Sequence, residues 1–135
     1  TPWTPPVWMK VNNLKELEPF ESWTSGQLNP ACYQDYAVYF VKWIRAMEEQ
    51  GVRIYSVTPQ NEPLNRGNSA SMYMSWQEQN AFIKEALGPK FRKAGLNTKI
   101  YLYDHNYDYD NQKEDTKDQG QYPLHVYADT ETPDM

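Results

Sequence analysis

Apolar side chains fall at helical intervals twice in this chain and at strand intervals twice, in alternation. From Pro30, behind Asn29 as an N-cap, the residues Tyr33, Tyr36, Ala37, Phe40, Val41, Ile44 and Met47 recur on one face, and Gly51 supplies a stop. Residues 52–58 (VRIYSVT) then read as a short, β-branched, buried strand. After a loop over 63–74, Ser75-Trp76-Gln77-Glu78 has the spacing of a capping box, and Phe82, Ile83, Ala86, Leu87 and Phe91 continue one apolar face as far as Gly95. Residues 98–103 (TKIYLY) form the second predicted strand and lead into a polar loop, 104–121. Residues 1–29, broken by prolines at 2, 5, 6 and 19 and by Gly26, are expected to be a long loop, and 124–128 fits either helix or strand.

Alternation of helix and strand makes the fold class α/β. Helical crossovers of this length join parallel strands, and a parallel sheet needs both of its faces covered. Two strands do not make such a sheet alone. With no internal repeat and no low-complexity linker, residues 1–135 are expected to be one incomplete domain, an internal piece of a larger α/β fold.

Composition narrows the classes of partner. Lys and Arg number 13 and Asp and Glu 18, giving a net charge of −5 without a basic stripe, so neither nucleic acid nor an anionic membrane is an expected partner. Aromatic residues make up 15% of the chain, with five Trp and eleven Tyr, which suits stacking on sugar rings but equally the filling of a core. Cys32 is the single cysteine, so an internal disulfide or a cysteine-based zinc site is not expected, and it reads as a buried thiol. No apolar run approaches the ~18 residues of a membrane span, and the first residues lack the charged and apolar regions of a signal peptide.

The candidate chemistry sits in Val57-Thr58-Pro59-Gln60-Asn61-Glu62-Pro63. This stretch places Glu62 where a buried strand ends, the position at which α/β barrels keep their catalytic groups. A solvated loop carboxylate is the ordinary alternative for a lone glutamate. In the acidic loop Asp104, Asn106, Asp108, Asp110 and Asp115 partly imitate a calcium-binding EF-hand, but Tyr109 stands where glycine is needed and position twelve is the shorter Asp115. No metal site and no cofactor are expected.

Four blocks, Thr1-Pro2-Trp3-Thr4-Pro5-Pro6-Val7-Trp8-Met9-Lys10, Tyr36-Ala37-Val38-Tyr39-Phe40-Val41-Lys42, Thr58-Pro59-Gln60-Asn61-Glu62-Pro63 and Asp104-His105-Asn106, together resemble glycoside hydrolase family 30. That family includes the glucosylceramidases and bacterial β-1,6-glucanases. The resemblance implies a (β/α)8 TIM barrel, of which this segment supplies the loop after strand three through the region just after strand five, with 52–58 and 98–103 as strands four and five. It implies Glu62 as general acid/base, Asn61 as the amide that binds the sugar 2-hydroxyl, and Trp3 as a wall of the glycone pocket. Asp104 and His105, following the second strand at the same face, are expected to contact substrate. Trp23 and Tyr73 lie in loops that would rim the site, whereas Trp8, Trp43, Trp76 and His125 are assigned to packing or structure.

A retaining glycosidase needs two carboxyl groups about 5–5.5 Å apart, one to protonate the leaving oxygen and one to attack the anomeric carbon. The family's nucleophile lies near the end of strand seven, outside this chain, and Glu131 in the terminal tail has no strand before it. The expectation is therefore a retaining β-glycosidase acting on a carbohydrate or glycolipid substrate, either a β-glucoside or β-1,6-glucan. Activity would belong to the complete barrel, the remainder of which is required, and the 135-residue piece alone is expected to be inert. A secreted or periplasmic location follows from the resemblance only. The alternatives are a non-catalytic carbohydrate-binding module, which the two helical patterns disfavour, and a small α/β binding domain, which lacks the glycine-rich turn a phosphate would need.

Overall fold

The computed structural model describes residues 1–11, 23–65, 69–106 and 121–129. In order these form a short 3₁₀ turn Val7–Met9, strands β1 (Lys10–Val11) and β2 (Gln27–Leu28), a 3₁₀ turn Pro30–Cys32, helix α1 (Tyr33–Glu49) and strand β3 (Ser56–Val57). Helix α2 (Trp76–Phe82), a π-helical segment Ile83–Leu87, helix α3 (Gly88–Lys93), strand β4 (Lys99–Ile100) and helix α4 (Tyr122–Ala128) complete the order. β1 pairs antiparallel with β2, and β3 pairs parallel with β4, Ser56 opposite Lys99 and Val57 opposite Ile100.

The expected cap at Asn29 serves the 3₁₀ turn Pro30–Cys32 that leads into α1, while α1 itself begins at Tyr33 behind Cys32 without a side-chain cap. The Asn29 side chain accepts the Ala31 amide at 3.0 Å and Pro30 occupies the first turn. At the other end Gly51 adopts φ 80, where glycine pays no Cβ penalty, and the Val52 amide returns to the Met47 carbonyl at 2.9 Å. The buried face is the predicted one: Tyr33, Tyr36, Ala37, Phe40 and Ile44 are inside. They meet Phe82, Ala86, Leu87 and Phe91 from the second helical stretch, together with Val57, Met9, Leu28, Met72 and Met74. Burial drives the Tyr33 hydroxyl up to about 12.

The second helical stretch begins with the expected box. Ser75 accepts the Glu78 amide at 3.2 Å, and the Glu78 carboxylate accepts the Ser75 amide at 2.7 Å. Burial raises the Glu78 carboxyl above its ordinary value, while those Ser75 hydrogen bonds pull the other way. The helix is not uniform, however, because Pro89 has no amide to offer the Glu85 carbonyl four residues back. The chain widens into the π-helical Ile83–Leu87 just before it, and the orphaned carbonyl is met by Gln34 Nε2 of α1 at 2.8 Å. A packing contact between two helices thus rests on a backbone defect.

Several expectations change here. Residues 1–29 are not wholly irregular, since β1 and β2 pair within them. The ladder of the 52–58 strand is only Ser56–Val57, and that of 98–103 only Lys99–Ile100. The physical reason is the shortage of neighbours: among the described residues β3 and β4 pair only with each other, and Val52, Tyr55 and Tyr101 stay exposed. A closed barrel is not present among the described residues.

The ambiguous terminal segment is helix α4, whose Tyr122 is wholly buried and offers its hydroxyl to the Met74 and Ser75 carbonyls at 3.0 and 2.9 Å. Its burial holds that phenol well above its usual range. Cys32 is half-buried, not buried. Trp76 packs as expected, stacked on His125 with centroids 4.6 Å apart, but Trp43 is 39% exposed. No helix among the described residues is long and apolar enough to cross a membrane.

Candidate active site

Glu62 lies five residues beyond the end of β3, and the segment between them is stitched to two other parts of the chain. Asn61 makes an isolated parallel bridge with Asp104, and the Glu62 amide donates to the Asp104 carbonyl at 2.7 Å. On the other side the Asn61 amide donates to the Pro2 carbonyl at 2.9 Å. Residues 1–3, 58–62 and 104–105, far apart in sequence, therefore converge on one strand end. Of the sequence-derived candidates Glu62, Asn61, Trp3, Asp104 and His105, all five lie in this cluster.

Glu62 is held in an unusual backbone state. Its φ is 40, and Tyr103, one residue before Asp104, has φ 51, so two non-glycine residues in the left-handed region flank the same bridge. Such a conformation costs roughly 1–2 kcal/mol per residue and persists only where the surroundings enforce it. The enforcing contacts are local: the Glu62 carbonyl accepts the Asn65 amide at 2.8 Å, and the Asn65 side chain donates to Glu62 Oε2 at 2.5 Å. The half-buried carboxylate is thereby oriented by a residue that periodicity did not flag.

Asp104 is engaged on the inner side. Its Oδ2 accepts from the Thr58 hydroxyl at 3.1 Å, and Thr58 also contacts the Thr1 hydroxyl. His105 lies on Tyr103, ring centroids 5.5 Å apart and nearly parallel. The Asn106 amide donates to His105 Nδ1 at 2.8 Å, which requires that nitrogen to be unprotonated and leaves the proton on Nε2 of the neutral ring. Burial lowers the His105 imidazole below the ordinary 6.5, against the opposing charges of Glu62 and Asp104.

That direction fixes a pH dependence. The folded protein favours neutral His105, whereas the unfolded chain gains the proton near 6.5, so stability is full above that value and declines as pH falls below it. Replacing His105 with Gln is expected to flatten unfolding stability between about pH 7 and about pH 5, read by urea denaturation at several pH values. An unaltered slope would remove His105 from the account.

The aromatic candidates separate by exposure. Trp3 is 55% exposed while its carbonyl accepts Gln60 Nε2 at 2.6 Å, so an indole face is open on a held backbone. Trp23 is also exposed, as is Trp8 at 68%, against its assignment to packing, whereas Tyr73 is buried with Leu64, Tyr103, Tyr122 and Val126 and is not a rim residue. A separate hollow of about 190 Å³, lined by Thr1, Pro2, Tyr39, Phe40, Trp43 and Val57, contains no carboxylate and none of the candidate pair Asn61 and Glu62. Most of the acidic loop weighed as a calcium site, residues 107–120, lies outside the described residues.

The glycosyl hydrolase family 30 TIM-barrel domain matches residues 1–132. The chain belongs to glycosyl hydrolase family 30. It is 40% identical over 109 residues to an endo-1,6-β-D-glucanase of Neurospora crassa, covering 80% of this chain and 22% of that protein. It is 42% identical over 113 residues to an endo-1,6-β-D-glucanase of Trichoderma harzianum, covering 80% of this chain and 23% of that protein. A solved endo-β1,6-glucanase superposes with a TM-score of 0.87 at 59% identity, over 98% of this chain and 29% of its own. The lysosomal acid glucosylceramidase of Mus musculus matches at 28% identity, over 77% of this chain and 20% of that protein. The chain spans less than a third of the length of these relatives.

Sequence reasoning missed Gln60, Asn65, Thr58 and Tyr103. Gln60 was visible inside the motif that carries Glu62, but nothing in its spacing announced a partner 57 residues away.

Proposed function

We propose that this chain is the acid/base-bearing portion of a retaining endo-β-1,6-glucanase in which Glu62 is the proton donor. The observation that carries the substrate is the 59% identity, over 98% of the chain, to a solved endo-β1,6-glucanase. In this reading β3 and β4 are barrel strands four and five, and the Asn61–Asp104 bridge marks their catalytic ends.

Glu62 protonates the departing glycosidic oxygen while a second carboxylate, supplied by barrel residues outside these 135, attacks the anomeric carbon. Glu62 then accepts a proton from the water that releases the sugar. Its orientation by Asn65 and by the Asp104 carbonyl spares the transition state the work of aligning it. The Asn61 amide binds the sugar 2-hydroxyl, Trp3 offers a stacking face, and Asp104 with His105 completes the polar wall. The enzyme acts in a secreted or periplasmic setting, where a glucan polymer is accessible.

The test is hydrolysis by the complete-barrel enzyme of β-1,6-glucan, β-1,3-glucan and glucosylceramide side by side. Oligosaccharides released from the β-1,6-linked polymer alone, with the β-anomer formed first by NMR, support the reading. Preferential cleavage of glucosylceramide would replace it with the glucosylceramidase alternative, and first formation of the α-anomer would end the retaining mechanism.

A further inference from the structure

Gln60 is the most deeply buried polar residue of the motif, with a relative exposure of 0%, and one of its two contacts reaches a segment far away in sequence. Nε2 donates to the Trp3 carbonyl at 2.6 Å and to the Asn61 carbonyl at 3.0 Å. Both acceptors are carbonyls, so only the NH₂ side of the amide satisfies them, and its orientation follows from chemistry. The opposite atom, Oε1, is buried without a hydrogen-bond partner among the described residues. A fold that tolerates an unpaired buried acceptor to keep two donors in place is using those donors.

The neighbouring residue repeats the arrangement. Asn61 donates its amide to the Pro2 carbonyl, so the two successive carbonyls of Pro2 and Trp3 are gripped by two successive residues of the strand end. Trp3 has its indole exposed and its backbone fixed, two residues from Glu62 through Gln60. We infer that Gln60 is a positioning residue: its carboxamide sets the Trp3 indole as the sugar-stacking face beside Glu62, and substrate engagement depends on it. This rests on the glucanase reading above.

The experiment is a double-mutant cycle in the complete-barrel enzyme, with Gln60→Met, Trp3→Ala and both together, following kcat and KM on β-1,6-glucan and the unfolding midpoint. Trp3→Ala keeps the carbonyl that Gln60 holds, so the two changes are expected to be additive in stability. In kcat/KM they are expected to be non-additive: each single change lowers it by about tenfold to a hundredfold, mostly through KM, and the double variant is no worse than Trp3→Ala alone. If Gln60→Met does not fold, Gln60→Glu serves. Its carboxyl regains one donor when protonated, so its deficit relative to wild type is expected to shrink as pH falls. Additive losses in kcat/KM, or a Gln60→Glu deficit independent of pH, overturn the positioning role while leaving the glucanase reading intact. Absence of β-1,6-glucan hydrolysis by the unaltered enzyme overturns both.

Discussion

Glu62→Gln in the complete barrel is expected to lower kcat on β-1,6-glucan by about 10²- to 10⁴-fold, the range a positioned general acid supplies. The substitution keeps size, the φ 40 backbone and an amide that Asn65 can still meet, so the fold is expected to survive. What disappears is the transferable proton. Aryl β-glucosides with acidic leaving groups need little protonation, so their first step is expected to suffer much less than cleavage of the polymer. Measuring kcat for both substrate types separates the roles: an equal loss on both would point to damaged binding geometry, and full activity on glucan would remove Glu62 from the chemistry.

Phe82→Ala is expected to cost about 3–5 kcal/mol of unfolding free energy, the usual toll of emptying a large aromatic site in a core. Phe82 has no exposure, and its ring lies against Tyr33, Tyr36 and Phe40 at centroid separations of 5.4, 5.6 and 6.3 Å. With Ala86, Leu87 and Phe91 it forms the face against which α1 packs, and it stands immediately before the π-helical turn. Chemical denaturation of the variant gives the number. A cost below about 1 kcal/mol would mean that the surrounding rings collapse into the space, and that the aromatic cluster is not what joins the two helices.

Both predictions draw on features legible in the chain. The apolar face of α1, the Ser75–Glu78 box, the glycine stop at Gly51 and the placement of Glu62 after a strand were all readable, because each depends on residues a few positions apart. Local spacing encodes which side of a helix turns inward and where a helix can begin. It was less informative about the strands, since a strand's hydrogen bonds belong to its neighbours, and β3 and β4 extend only as far as they face one another.

Tyr73 illustrates the limit from the other side. Its loop setting suggested a rim residue, yet it is buried with Tyr103 and Tyr122, brought there by helix α4 from 49 positions further along the chain. Pro89 was equally visible in the sequence. That its missing amide would be answered by a π-helical turn and by Gln34 of another helix was a decision of packing.

For this member of family 30, the sequence by itself determined the alternation of helix and strand, the inward faces and the candidate proton donor. The tertiary structure decided the company Glu62 keeps: Asp104 across a parallel bridge, Asn65 on its carboxylate, and the Pro2–Trp3 segment held through Asn61 and Gln60. The division has one physical cause. Periodicity and capping are short-range consequences of backbone geometry, whereas a buried polar group finds whichever partner the folded chain brings within about 3 Å, however distant in sequence.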